Sequence, residues 1–201
     1  MGIRDLLPQS PRDGPPIPRF MKEEYYIQSL PPGDYLYHHS YYSGLKRIVH
    51  EGGLRADPRK RVISLTTDPG RFLSPLPFLM AVTVDGVVRI PYTSEVSQLA
   101  IPALYSTRNS TLVTEVQDRG YKVFLGKDLP PEYRYIRQYV THRDMFIDEN
   151  EYAILMDYFS LPSGSVFFID PRKIKRFKGS LPPYVEGIWE IRPLTELVEG
   201  K

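Results

Sequence analysis

The chain has 201 residues, 41% of them hydrophobic and 25% charged, with a formal net charge of +2. That composition suits one globular core and excludes a disordered chain, and so small a net charge does not by itself point to nucleic acid. The absence of cysteine excludes disulfides, thiolate metal sites and thiol nucleophiles, and it fits a reducing cytoplasm, the expected location.

Residues 1–19 carry five prolines and little apolar periodicity, so they read as an extended arm. They lack the apolar stretch of a secretory signal, and Leu6 stands where the lipidation pattern after Gly2 wants Ser or Thr. A helical stretch over 20–30 follows, stopped by Pro31-Pro32-Gly33. The aromatic run Tyr35-Leu36-Tyr37-His38-His39 predicts the first strand. Over 41–51, Tyr41, Leu45, Ile48 and Val49 recur at helical spacing, and Gly52-Gly53 closes that helix. A second strand is expected at 62–66, after the basic turn 58–61. Strands at 79–84 and 87–92 would form a hairpin through Asp85-Gly86. Helix or loop is expected over 94–104, with strand pieces at 111–116 and 121–124. Pro130-Pro131 opens a helix to about residue 141. Strands at 151–155, 165–170 and 188–191 complete the chain.

Basic clusters at Arg55, Arg59, Lys60 and Arg61, and at Arg172, Lys173, Lys175, Arg176 and Lys178, read as solvated loops. No apolar run approaches the roughly 18–20 residues that span a bilayer, so no membrane partner is expected. Short strands with a few helices indicate an α+β fold. No Gly-x-Gly-x-x-Gly or phosphate-loop lysine is present, which leaves a doubly wound dinucleotide fold unsupported.

Three segments carry candidate chemistry. The first is Leu36-Tyr37-His38-His39-Ser40, then a helix closed by Glu51-Gly52-Gly53-Leu54. The second is Ile63-Ser64-Leu65-Thr66-Thr67-Asp68. The third is Asp148-Glu149-Asn150-Glu151-Tyr152, followed by Pro162-Ser163-Gly164-Ser165-Val166-Phe167. In that order they resemble the ADP-ribosyltransferase superfamily. The stretch 36–54 is most similar to the branch of toxins that modifies DNA. The Glu149-x-Glu151 segment is more similar to the protein-modifying branch.

The resemblance implies a split β-sheet core with flanking helices, in one catalytic domain over 20–201. It implies NAD as substrate and a protein or nucleic-acid acceptor. It assigns His38, with Ser40 two residues on, to holding NAD, and Ser64 and Thr66 to the ribose side. Glu151 would be the central carboxylate and Glu149 a base toward the acceptor. Breaking the nicotinamide–ribose bond builds an oxocarbenium-like cation, which a nearby carboxylate stabilises. Residues two apart on a strand share a face, so Glu149 and Glu151 would line one cleft.

His38 and His39 should point to opposite faces and cannot easily share a metal, and no metal site is expected. Tyr92, Tyr105 and Tyr152 are each eligible to stack on nicotinamide. The subgroup tyrosine and the first-strand arginine known in parts of the family have no clear counterpart. An NAD glycohydrolase, an RNA 2′-phosphotransferase and a non-catalytic interaction protein are the alternatives.

Overall fold

A computed structural model describes residues 24–29, 32–58, 61–70, 84–133, 138–139, 150–179 and 190–199. In chain order the elements begin with β1 (Tyr25–Gln28), β2 (Tyr35–Ser40), α1 (Tyr42–Glu51), β3 (Gly53–Arg55), β4 (Ile63–Thr66) and β5 (Gly86–Pro91). Next come α2 (Ser94–Leu99), β6 (Ala100–Pro102), β7 (Leu104–Thr107), α3 (Ser110–Asp118), β8 (Lys122–Leu125) and β9 (Gln138–Tyr139). The last are β10 (Glu151–Ile154), β11 (Tyr158–Ser160), β12 (Val166–Ile169), α4 (Pro171–Lys178), β13 (Glu190–Pro193) and α5 (Leu194–Val198). The fold is α+β, as the sequence indicates. The described residues group into two compact units, one within 1–30 and 102–149 and the other within 31–101 and 150–201, whereas the family resemblance implies one domain over 20–201.

In the first unit a four-stranded sheet has the order β8-β1-β7-β9. The helix expected over 20–30 is corrected here: Tyr25–Gln28 is a strand, antiparallel to β7 on one side and β8 on the other. Aromatic and β-branched side chains suit such a pleated position, and Tyr26 and Ile27 are fully buried. The strand expected at 111–116 is instead helix α3. The Asn109 side chain caps it by accepting from the Leu112 amide at 3.1 Å, and Val113 and Val116 share its buried face. The cap and the three-residue apolar spacing outweigh the β-branched composition. Of the helix expected from 130, the described part is a 3₁₀ turn at Pro131–Tyr133 and the short strand β9.

In the second unit a seven-stranded sheet has the order β13-β12-β5-β2-β4-β10-β6. A separate antiparallel pair joins β3 to β11. One face of the large sheet presents Leu36, Ile63, Leu65, Val88, Ile90, Tyr152, Ile154, Phe167 and Ile169. These pack with Leu45, Ile48 and Val49 of α1, Val96 of α2 and Phe177 of α4 as one buried cluster.

Helix α1 ends as expected, with Gly52 in the left-handed conformation at φ 70°. Gly53 then opens β3, where a Cβ would fall 2.5 Å from the Phe159 carbonyl oxygen. The second basic cluster is a helix, not a loop. Asp170 caps α4 by accepting from the Arg172 amide at 2.9 Å, and Pro171 occupies the first turn.

Strands β2, β4, β5, β8, β10, β12 and β13 fall where the sequence places strands. The helix-or-loop stretch 94–104 resolves into α2, capped by Thr93, followed by β6 and the start of β7. The arm at 1–19, the strand at 79–84 apart from Val84, and Glu149 lie outside the described residues.

Candidate functional site

Strands β2, β4 and β10 carry the Tyr35–Ser40, Ile63–Thr66 and Glu151–Ile154 parts of the motif segments and lie side by side in the large sheet, whereas Val166 and Phe167 of the third segment fall on β12, beyond β5. Register fixes which side chains meet. Glu151 opens β10 directly opposite Thr66 of β4, and Thr66 is opposite Tyr37 of β2. Tyr37 in turn faces Arg89 of β5. Directly opposite residues point to the same side of a sheet, so Glu151, Thr66, Tyr37 and Arg89 form one polar row across four strands. Ser64 and His39, each two residues along their strands, share that side. Thr66 is buried, whereas Ser64, Tyr37, His39, Arg89 and Glu151 are half-buried.

His38 and Ser40 fall on the opposite side, with the buried cluster. Their neighbours on that face are Leu36 and, across the register, Val88. The alternation that separates His38 from His39 therefore puts His39, not His38, on the side of Ser64, Thr66 and Glu151. His38 still reaches β4: its Nδ1 lies 3.0 Å from the Ser64 carbonyl oxygen. A carbonyl only accepts, so Nδ1 carries the proton and Nε2 is left as the acceptor of a neutral ring. Burial pushes the His38 imidazole below its ordinary value, opposed in part by the bond to Ser64. Strand β2 meets β4 at one bridged pair, Tyr37 with Thr66. The His38 side chain ties the strands beyond it.

Ser40 belongs to the turn into α1. Its carbonyl accepts from the Asp85 amide at 3.2 Å. Its hydroxyl sits so close over Gly44 that a Cβ there would come within 2.1 Å. Asp85 holds the same turn, accepting from the Tyr42 amide at 2.8 Å and from the Lys173 ammonium.

The rim beyond β4 is pinned by three contacts. His39 Nε2 donates to the Pro69 carbonyl at 3.0 Å. The Thr67 amide and hydroxyl donate to the Asn150 carbonyl and side-chain oxygens, both at 2.8 Å. The Thr66 hydroxyl accepts from the Asp68 amide at 3.1 Å, which leaves its proton to donate. Residues 67–70 are thus held between His39 on β2 and Asn150, the residue before Glu151.

Two of the three candidate stacking tyrosines are buried, Tyr152 in the second unit's core and Tyr105 in the first unit. Tyr92 is half-buried and meets Tyr152 edge-on at 6.3 Å. Tyr37 and Arg89 are the row members that motif reading passed over. Both leave a trace in the sequence. Arg89 is the lone charge in Gly86-Val87-Val88-Arg89-Ile90, and Tyr37 sits at the two-residue period from His39. Burial raises the Tyr37 phenol above its ordinary value and the Arg89 charge opposes this, so it stays a protonated donor at neutral pH.

No protein-family model, curated protein or solved structure matches the chain. Among the described residues no helix is long and apolar enough to cross a membrane.

Proposed function

We propose that the chain is an NAD-dependent mono-ADP-ribosyltransferase, built on the split sheet of that superfamily, with Glu151 as its central carboxylate. One observation carries the reading. The strands that carry His38, Ser64 with Thr66, and Glu151, widely spaced in sequence, lie side by side, with Glu151 opening the third directly across from Thr66.

In the reaction Glu151 accepts a hydrogen bond from the ribose hydroxyl beside the glycosidic carbon. Its charge steadies the cation that develops as the carbon–nitrogen bond breaks. Nicotinamide leaves with the bonding electron pair. The acceptor's nucleophile then attacks the ribose carbon and gives up its proton to a base. Thr66 and Tyr37, next along the row, are hydroxyl donors suited to the ribose and its attached oxygens.

NAD labelled in its adenylate moiety, incubated with the protein and a cell lysate, tests this. Label in macromolecules, then removed by protease or by nuclease, supports transfer and tells which class of acceptor is used. Nicotinamide release without macromolecular label would instead mark a glycohydrolase. No NAD consumption, with no thermal shift by NAD, would sink both and leave the interaction-protein alternative.

A further inference from the structure

Among the described residues Arg89 has no counter-ion. It sits half-buried in the middle of the large sheet, and its Nε is fully buried with no hydrogen-bond partner. The guanidinium lies 4.5 Å from the Tyr35 ring centroid and 5.3 Å from that of Phe168. No carboxylate among the described residues pairs with it. Arg55, Arg172 and Arg192, by contrast, each have a carboxylate within 2.6 Å, on Glu51, Asp170 and Glu190. Arginine is rarely withdrawn from water unpaired, because the lost hydration is costly and aromatic faces return only part of it. A position kept this way suits an anion that arrives from outside. Its planar fork favours a phosphate or carboxylate over a point of charge.

Register sets the distance to the proposed chemistry. Arg89 is three strands from Glu151 along the row, roughly 15 Å between backbones at about 5 Å per strand. Arg89 and Glu151 share one face of the sheet across that span. We infer that Arg89, flanked by Tyr35 and Tyr37, is an anion subsite that takes the diphosphate of the dinucleotide while Glu151 and Thr66 take the ribose next to nicotinamide. The inference rests on the transferase reading for the identity of that dinucleotide.

ADP separates the two, since it carries the diphosphate and no nicotinamide bond. Calorimetric titration of the full chain with ADP and with NAD should show both binding. Arg89→Gln should weaken both by about tenfold to a hundredfold, the range for losing a charged, forked contact. Arg89→Lys should fall between. In the absence of ligand, Arg89→Gln should melt no lower than wild type, because it removes an unpaired, partly desolvated charge. A structural arginine would behave in the opposite way, and a fall in melting temperature alongside the loss of binding overturns the inference. Unchanged ADP affinity in Arg89→Gln, or no ADP binding by wild type, overturns it too.

A second measurement needs no variant. Phenylglyoxal labelling of Arg89, read by peptide mass spectrometry, should be slowed by saturating ADP, and an unaffected rate counts against the subsite. ADP binding that depends on Arg89 without NAD consumption would keep the subsite and reject the transferase. NAD consumption with unaltered binding in Arg89→Gln would do the reverse.

Discussion

At the scale of single residues the row assigns unequal roles to groups of similar chemistry. Glu151 supplies charge, whereas Thr66 and Tyr37 supply hydrogen bonds. Glu151→Gln preserves shape and hydrogen bonding but deletes the charge, so it should keep NAD affinity and lose turnover by about 10²–10³, the usual cost of one preorganised electrostatic contact. Parallel binding and NAD-consumption assays check this, and wild-type turnover in the variant would end the transferase proposal. His38 makes a different contribution, to stability. Burial depresses its folded-state pKa, so the unfolded chain binds the proton more readily. Stability from this group is therefore complete above the unfolded value of about 6.5 and falls as pH drops below it, by at most about 1.4 kcal/mol per pH unit. His38→Gln can still donate an amide proton to Ser64 but cannot titrate. Denaturant titrations at about pH 7.5 and about pH 5.5 should show a smaller loss in the variant than in wild type. Equal losses would mean that His38 is not the acid-sensitive group.

At the scale of elements, the start of α1 depends on a residue distant in sequence. Its own N-cap, Tyr41, makes no side-chain bond to the helix. Asp85 takes that place, accepting from the Tyr42 amide at 2.8 Å while the Lys173 ammonium of α4 pairs with its other oxygen. The first turn of α1 and the start of α4 therefore share one carboxylate, while the Asp85 backbone amide holds the turn at Ser40. Burial alone would raise the Asp85 pKa, but donation from Lys173 and from the Tyr42 amide outweighs it and lowers the carboxyl. With the folded value depressed, its stabilisation is present above the unfolded value of about 3.9 and is lost as pH falls through the folded one. Asp85→Ala removes the cap and the ion pair together and should cost about 1–3 kcal/mol. Asp85→Asn keeps an acceptor for Tyr42 and should recover much of this, because a partly exposed ion pair contributes at most about 1 kcal/mol. Thermal melts of the two variants at neutral pH measure the difference, and equal melting temperatures would remove the capping role.

At the scale of the whole molecule, what could be read from the sequence divides by how local its cause is. The strand from Tyr35, the helix closed by Gly52 and the strand from Glu151 each announce themselves within a few residues, through aromatic alternation, apolar spacing and glycine. The register that sets Glu151 opposite Thr66 and Tyr37 opposite Arg89 depends on pairings between distant strands, which no local pattern encodes. That is why His38 could be placed on a strand but not on a side. Tyr25–Gln28 became a strand because β7 and β8 pair with it on both flanks, and α3 was decided by the Asn109 cap over its strand-like composition. The same register makes a prediction about how the molecule responds to ligand. At a hundred times its dissociation constant, ADP or NAD should stabilise the fold by about 2.7 kcal/mol, a rise in melting temperature of roughly 5–10 °C at about 2–4 °C per kcal/mol. Hydrogen exchange should show where that stabilisation enters. Amides inside β2, β4 and β10 are already held by the ladder and should change little. The rim at 67–70, held to the sheet by His39 to Pro69 and to Asn150 by Thr67, has fewer bonds and should gain the most protection, together with Asn150 itself. Protection confined to β1, β7 and β8, with 67–70 and Asn150 unaffected, would place the ligand in the other unit and remove the row from the site.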